Sequence, residues 1–244
     1  MTLIPAAAYK ANREAYCYCD PDAEFTIVQT ASLPHAGSFK GIFPSAVPSF
    51  PPGAINMRKF ETICQAVFHD CGLAQKECHW TKSHLENLRQ ITCAIVHWKM
   101  ASQGERARLK VENVLAKWDD RTHLKLLSAY EKKSLSLFRI GGIRIPTSTA
   151  ILRFLFPESF GIMDSRVVKN HTQPKGITSL KIRTDDYIED LRENVNKYTT
   201  EYVPFLLKEA QALNDEGITF EDRDAVGKPI SATFRPCDIE MALF

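Results

Sequence analysis

No apolar run in this 244-residue chain approaches the roughly 18 residues needed to cross a bilayer. The first residues, Met1 to Ala8, are apolar but lack a basic leader and a long hydrophobic centre, which argues against a secretory signal. There is no CxxC pair, and the seven cysteines are an odd count without dense spacing. Reduced thiols in an intracellular protein, cytoplasmic or nuclear, are therefore expected. Internal repeats are absent. So is a large net charge: the formal +2 is too small to announce a nucleic-acid binder.

What is present is a charge that is unevenly distributed. From Lys99 to Arg144 there are 11 basic and 5 acidic residues, whereas Thr184 to Phe244 holds 6 basic and 14 acidic. A chain polarised in this way can turn one positive face to a polyanion, or simply carry two solvated faces of opposite sign. Its 44% hydrophobic content is enough for a substantial core, as one domain or as two small lobes sharing a cleft.

Residues 1–55 hold seven of the thirteen prolines and one short β-like run, Phe25 to Val28. They read as a loop-rich N-terminal arm, partly ordered against a body formed by residues 56–244. Helical periodicity begins after Asn56, with Phe60, Ile63, Cys64, Val67 and Phe68 on one face and Gly72 at the end. Ser83 to Glu86 has the form of a capping box, followed by Leu85, Leu88, Ile91, Thr92, Ile95, Val96 and Lys99 at helical spacing. Further helices are expected over Arg108–Trp118, Thr122 to about Leu137, and Asp185–Leu213. Pro204 should divide the last and Gly217 should close it. A short terminal helix from Asp238 would dock through Ile239, Leu243 and Phe244. The fold class is mostly α.

The most informative run is Ile140 to Leu152. Gly141 and Gly142 permit a tight turn, Pro146 suits the first turn of a helix, and Thr147, Ser148 and Thr149 are small enough for close helix packing. A turn that opens a helix points backbone N–H groups outward, where they suit a phosphate oxygen. Pro157 and Gly161 then enforce a loop, and Asp164 stands where it would cap the next helix and stay ionised.

This run resembles the helix-hairpin-helix, Gly/Pro loop and aspartate of the DNA glycosylase superfamily, and in particular its adenine-glycosylase branch. There the hairpin reads Leu-Pro-Gly-Val-Gly-Arg-Ser-Thr-Ala-Gly-Ala-Ile-Leu, and the aspartate ends a Pro-Ile-Leu-Asp motif. Here Gly142-Ile143-Arg144 stands for Gly-Val-Gly, Ala150-Ile151-Leu152 matches Ala-Ile-Leu, and Gly161-Ile162-Met163-Asp164 matches Pro-Ile-Leu-Asp without a gap. The layout, with Trp98-Lys99 upstream and an Asp-Ile-Glu-Met-Ala-Leu ending, is also similar to uncharacterised microbial glycosylase-like proteins.

The resemblance implies a two-lobed helical fold, with the helix-hairpin-helix at about 123–156 and the aspartate loop at 157–164. It implies monofunctional hydrolysis of an N-glycosidic bond in DNA. Asp164 would be catalytic, and Gly141, Gly142, Ile143, Arg144 and Thr147 would hold the backbone. Trp98, Lys99 and Arg166 are candidates for the pocket. Three departures stand out. Arg144 replaces the second hairpin glycine. Pro146 sits where bifunctional members carry lysine, so Schiff-base lyase chemistry is not expected from that position. No four-cysteine cluster follows Asp164, so no iron–sulfur centre, and no other cofactor, is expected.

Each candidate also has a plainer reading. Asp164 is a good helix cap in any protein. Trp98 is a natural core residue, Arg166 a local ion-pair partner, and His171 a surface residue two turns beyond Asp164. Cys64, Cys71 and Cys78, with His69 and His79, have a spacing that suggests a packed helix face more than zinc, so no metal is expected. Cys17 and Cys19 alternate as on a strand. Two other functions stay open beside DNA base excision: a non-catalytic nucleic-acid-binding module, and an N-glycosidase acting on a free nucleoside or nucleotide.

Overall fold

A computed structural model of the chain describes residues 2–16, 25–26, 54–55, 57–70, 82–100, 105–119, 121–137, 140, 143–171, 188–224 and 228–244. The protein is mostly α. Helix α1 (Ala6–Ala15) is followed by β1 (Phe25–Thr26) and β2 (Ala54–Ile55), an antiparallel pair with Phe25 opposite Ile55. Then come α2 (Met57–Asp70), α3 (Lys82–Met100), α4 (Glu105–Lys117), α5 (Thr122–Glu131) and a single 3₁₀ turn, Leu135–Leu137. Helices α6 (Ile145–Leu155), α7 (Ser165–His171) and α8 (Arg192–Lys197) lead into a π-helical segment, Tyr198–Tyr202, and then α9 (Val203–Asp215). A hairpin of β3 (Phe220–Arg223) and β4 (Pro229–Ala232) precedes the terminal helix α10 (Pro236–Leu243). Among the described residues no helix is long and apolar enough to cross a membrane.

Helix α6 lies at the centre. From Ile145 to Leu155 every residue except Pro146 is buried, and α2 and α3 pack on it. Phe154 sits between Phe60 of α2 and Trp98 of α3, with ring centroids 5.1 and 4.8 Å apart in edge-to-face geometry. The apolar stripe of α2 (Phe60, Ile63, Cys64, Val67 and Phe68) is buried, as its spacing predicts. Burying each such large side chain contributes roughly 1.5–3 kcal/mol.

The structure differs from the sequence expectation in several places. Residues 6–15, assigned to a loop-rich arm, form α1, which packs on α10 and β3. Helix α3 begins at Lys82, so Ser83 lies within it and not at its cap. The helix expected to run to Leu137 stops at Glu131. Lys133 turns left-handed (φ 49°), with the Ser134 N–H bonded to the Ala129 carbonyl and the Lys133 N–H to that of Tyr130. Lysine is not a residue that signals such a turn.

Residues 188–191 are not helical, and the continuous run begins only at Arg192. The π segment ends at Tyr202, two residues before Pro204, which occupies the first turn of α9. Proline lacks the N–H that an unbroken α-helix would need there, and the wider turn absorbs the mismatch. The β3–β4 hairpin has no counterpart in the sequence expectation. Gly217 closes α9 as expected. Its φ is 71°, and the Ile218 N–H reaches back to the Leu213 carbonyl at 2.9 Å.

A buried ionic network ties the N-terminal helix to this body. Arg13 of α1 is 1% exposed and bonds Asp238 of α10 (2.9 Å) and Asp222 of β3 (3.4 Å). Glu61 of α2 receives Arg153 of α6 (2.9 Å), Arg235 (2.6 Å) and Arg58 (2.9 Å). Arg235 closes the chain of contacts on Asp238 at 2.8 Å. Charges this deep are tolerable only because they are mutually paired.

Candidate functional site

The loop from Phe156 to Met163 joins α6 to Asp164, which caps α7. Several of its polar groups are fixed by distant elements. Tyr198 donates its hydroxyl to the Gly161 carbonyl and Tyr202 to that of Ile162, each at 2.8 Å. The Met163 N–H donates to Thr149 Oγ1 at 3.1 Å, and Lys133 Nζ reaches Ser159 Oγ at 2.6 Å. Gly161 is required by space: a β-carbon there would lie 2.6 Å from Leu206 Cδ1 and 3.0 Å from Glu240 Cβ. Both tyrosine rings are fully buried, which pushes their phenol pKa values up and keeps them neutral donors.

Asp164 therefore emerges from a rigid support. Its Oδ1 accepts the Arg166 backbone N–H at 3.0 Å, as a helix cap does, and the Arg166 Nε at 3.4 Å. Its Oδ2 accepts Lys99 Nζ at 2.9 Å. The side chain keeps 12% exposure. Burial works against ionisation, but the Lys99 charge and hydrogen bond, with the N–H and charge of Arg166, outweigh it and hold the carboxyl below its ordinary pKa. Asp164 is an anion at neutral pH.

The structure brings together some of the residues named from the sequence and separates others. Lys99 and Arg166 both touch Asp164. The Arg166 guanidinium also lies 3.9 Å from the centre of the Phe244 ring, which links the site to the C-terminus. Trp98 is partly buried, packed on Phe154 against the edge of the core. Gly141 and Gly142 lie outside the described residues, although the Ile143 N–H bonds the Ile140 carbonyl across them at 3.0 Å.

Ile143 is 2% exposed and that N–H is already used, so neither its side chain nor its amide faces outward. Thr147 is 7% exposed, and the N–H groups of Thr147 and Ser148 both turn in to the Arg144 carbonyl. The first turn of α6 thus offers fewer outward donors than its sequence suggests. Arg144 itself is exposed. It lies near Lys110 of α4, whose ammonium pKa is lowered by burial first and then by the charges of Arg144 and Lys117, against the pull of Asp190.

Of the cysteine and histidine set weighed for zinc, Cys64 is buried in the core, while Cys71, Cys78 and His79 lie outside the described residues, as do Cys17 and Cys19. Among the described residues no cluster of three or more His, Cys, Asp or Glu is placed to hold a metal.

One residue of this neighbourhood escapes a sequence reading. Glu240 of α10 is 3% exposed, accepts the Ile162 N–H and shares the electrostatic surroundings of Asp164 and Lys99. It lies 76 positions beyond Asp164, and although the Asp-Ile-Glu-Met-Ala-Leu ending that contains it is part of the resemblance, nothing in the sequence ties its side chain to the aspartate loop. No family model matches the chain, and no curated protein or solved structure matches it significantly.

Proposed function

We propose that this chain is a DNA-glycosylase-like protein of the helix-hairpin-helix type, which hydrolyses an N-glycosidic bond with Asp164 as its carboxylate. One observation carries the reading. An ionised aspartate, buried as a residue but with 12% of its side chain still exposed, stands at the start of α7 on a loop whose backbone is held on both sides. Breaking the bond between base and sugar builds positive charge on the sugar, and a fixed carboxylate beside it stabilises that charge or orients water. The target nucleotide must first leave the duplex, and the proximity of Arg144, Lys110 and Lys117 would serve the phosphate backbone. Helices α5 and α6 fall within the span of about 123–156 that the resemblance assigns to the helix-hairpin-helix, with Asp164 after them, which supports the reading.

A second reading has its own support. Lys99 already matches the Asp164 charge at 2.9 Å, and a neutralised carboxylate has less to offer a cationic sugar. That favours a binding module that keeps the arrangement without the chemistry. The deciding experiment is base release from a panel of damaged and mismatched duplexes, with free nucleosides assayed alongside. Release that is lost in Asp164→Asn supports the enzyme. Duplex binding without release selects the module, and release from nucleosides alone moves the substrate to a small molecule.

A further inference from the structure

Beneath the loop that ends at Asp164 lies a second carboxyl group with no exclusive counter-ion. Glu240 packs so closely under Gly161 that its Cβ and Cγ stand 3.0 and 3.4 Å from where a β-carbon on that glycine would be. Charged and titratable groups face it from several elements: Arg153 on α6, Lys99 on α3, Asp164 ahead of α7, and Tyr198 and Tyr202 on the π segment. Arg153 is shared with Glu61, and Lys99 with Asp164.

We propose that Glu240 is a positioning residue of the Asp164 site, fixing the Ile162 backbone and, when ionised, adding a second negative charge behind the Asp164–Lys99 pair. The inference rests on the reading of Asp164 as the working carboxylate. While Glu240 is protonated, Lys99, Arg166 and Asp164 sum to plus one. Loss of its proton to solvent brings the four groups to zero, a change of one negative charge that favours positive charge on a bound sugar. Burial is the largest influence on Glu240 and pushes its pKa up. Arg153, Lys99 and the Ile162 N–H pull it down and Asp164 pushes it up again, so the group titrates at about 7. The change of state therefore falls within the neutral range.

The test is a carboxyl-carbon NMR titration of the full chain, for wild type and Glu240→Gln, which keeps an acceptor for the Ile162 N–H. In wild type the Glu240 resonance should titrate between about pH 6 and 8, and Asp164 should show a second inflection over the same range. That inflection should vanish in Glu240→Gln. A Glu240 midpoint below about pH 5, or an Asp164 curve unchanged by the substitution, overturns the proposal.

The activity arm is separate. Base release should rise roughly tenfold across neutral pH in wild type and stay flat in Glu240→Gln. Should no substrate release a base, the functional reading fails while the NMR arm still decides the coupling of Glu240 to Asp164. A rise in release that persists in Glu240→Gln removes Glu240 from the site and leaves the functional reading standing.

Discussion

Lys99 Nζ lies 2.9 Å from Asp164 Oδ2, a contact that joins α3 to the start of α7 across 65 positions of sequence. Among the described residues this contact alone gives the aspartate a fixed cation from a distant element, since Arg166 is its near neighbour in the chain. Lys99→Met should raise the Asp164 pKa, because burial is then opposed by Arg166 alone. The two side chains are only 17% and 12% exposed, so water screens the pair weakly, and Lys99→Met should cost more than the about 1 kcal/mol of a surface pair. A carboxyl NMR titration measures the first effect and urea unfolding the second. An unchanged pKa in Lys99→Met would show that the contact is not kept in solution.

Asp164 has two separable roles, and two substitutions divide them. Asn caps helices about as well as Asp, so Asp164→Asn keeps the cap and should cost only what the ion pair with Lys99 contributes. Base release should nevertheless fall by at least about a hundredfold. Asp164→Ala loses the cap as well and should cost about 1 kcal/mol more. Equal activity in wild type and Asp164→Asn would reduce the residue to a cap.

Gly161 tests the rigidity of the support. A methyl group there meets Leu206 and Glu240, both buried, so Gly161→Ala should destabilise the fold by about 1–3 kcal/mol and displace Asp164. Leu206→Ala, although costly by itself, clears the shorter of the two contacts. The double variant should therefore be less unstable than the sum of the singles. Strict additivity in denaturant melts would mean that the two side chains do not compete.

The Arg13–Asp238–Arg235 cluster governs acid stability. Burial opposes the charge on Asp238, but Arg235 and Arg13, by charge and hydrogen bond, win and hold its pKa well below the carboxylate range. A depressed folded-state pKa contributes stability that is present above the unfolded value near pH 4 and is lost as pH falls below it. Wild type should therefore weaken steeply below about pH 4, and Asp238→Asn should be less stable at pH 7 but less sensitive to acid. Arg13→Met leaves Asp238 and Asp222 short of a cation and should cost about 3–5 kcal/mol. Urea unfolding at pH 7 and pH 3 measures all three.

How much of this was legible depends on the range of the forces involved. The stripe of α2, the buried face of α3, Pro146 in the first turn of α6, Gly217 closing α9 and Asp164 capping α7 are each written in neighbouring residues. Periodicity, a missing N–H and a short polar side chain act within a turn or two of themselves. The early end of α5 was hidden because Lys133 holds a left-handed backbone through Ser159 and the Tyr130 ring, contacts reached only after folding.

From its sequence alone the chain was bound to be mostly helical, to place its helix starts and stops where its prolines and glycine allow, and to put an aspartate at one of those starts. Tertiary structure alone decided that this aspartate would meet Lys99, that Glu240 would lie beneath its loop, and that α1 would be tied down by buried ion pairs. The difference is physical: backbone preferences are fixed by adjacent side chains, whereas a charge acquires its partner, and with it its protonation state, only when distant segments exclude water together.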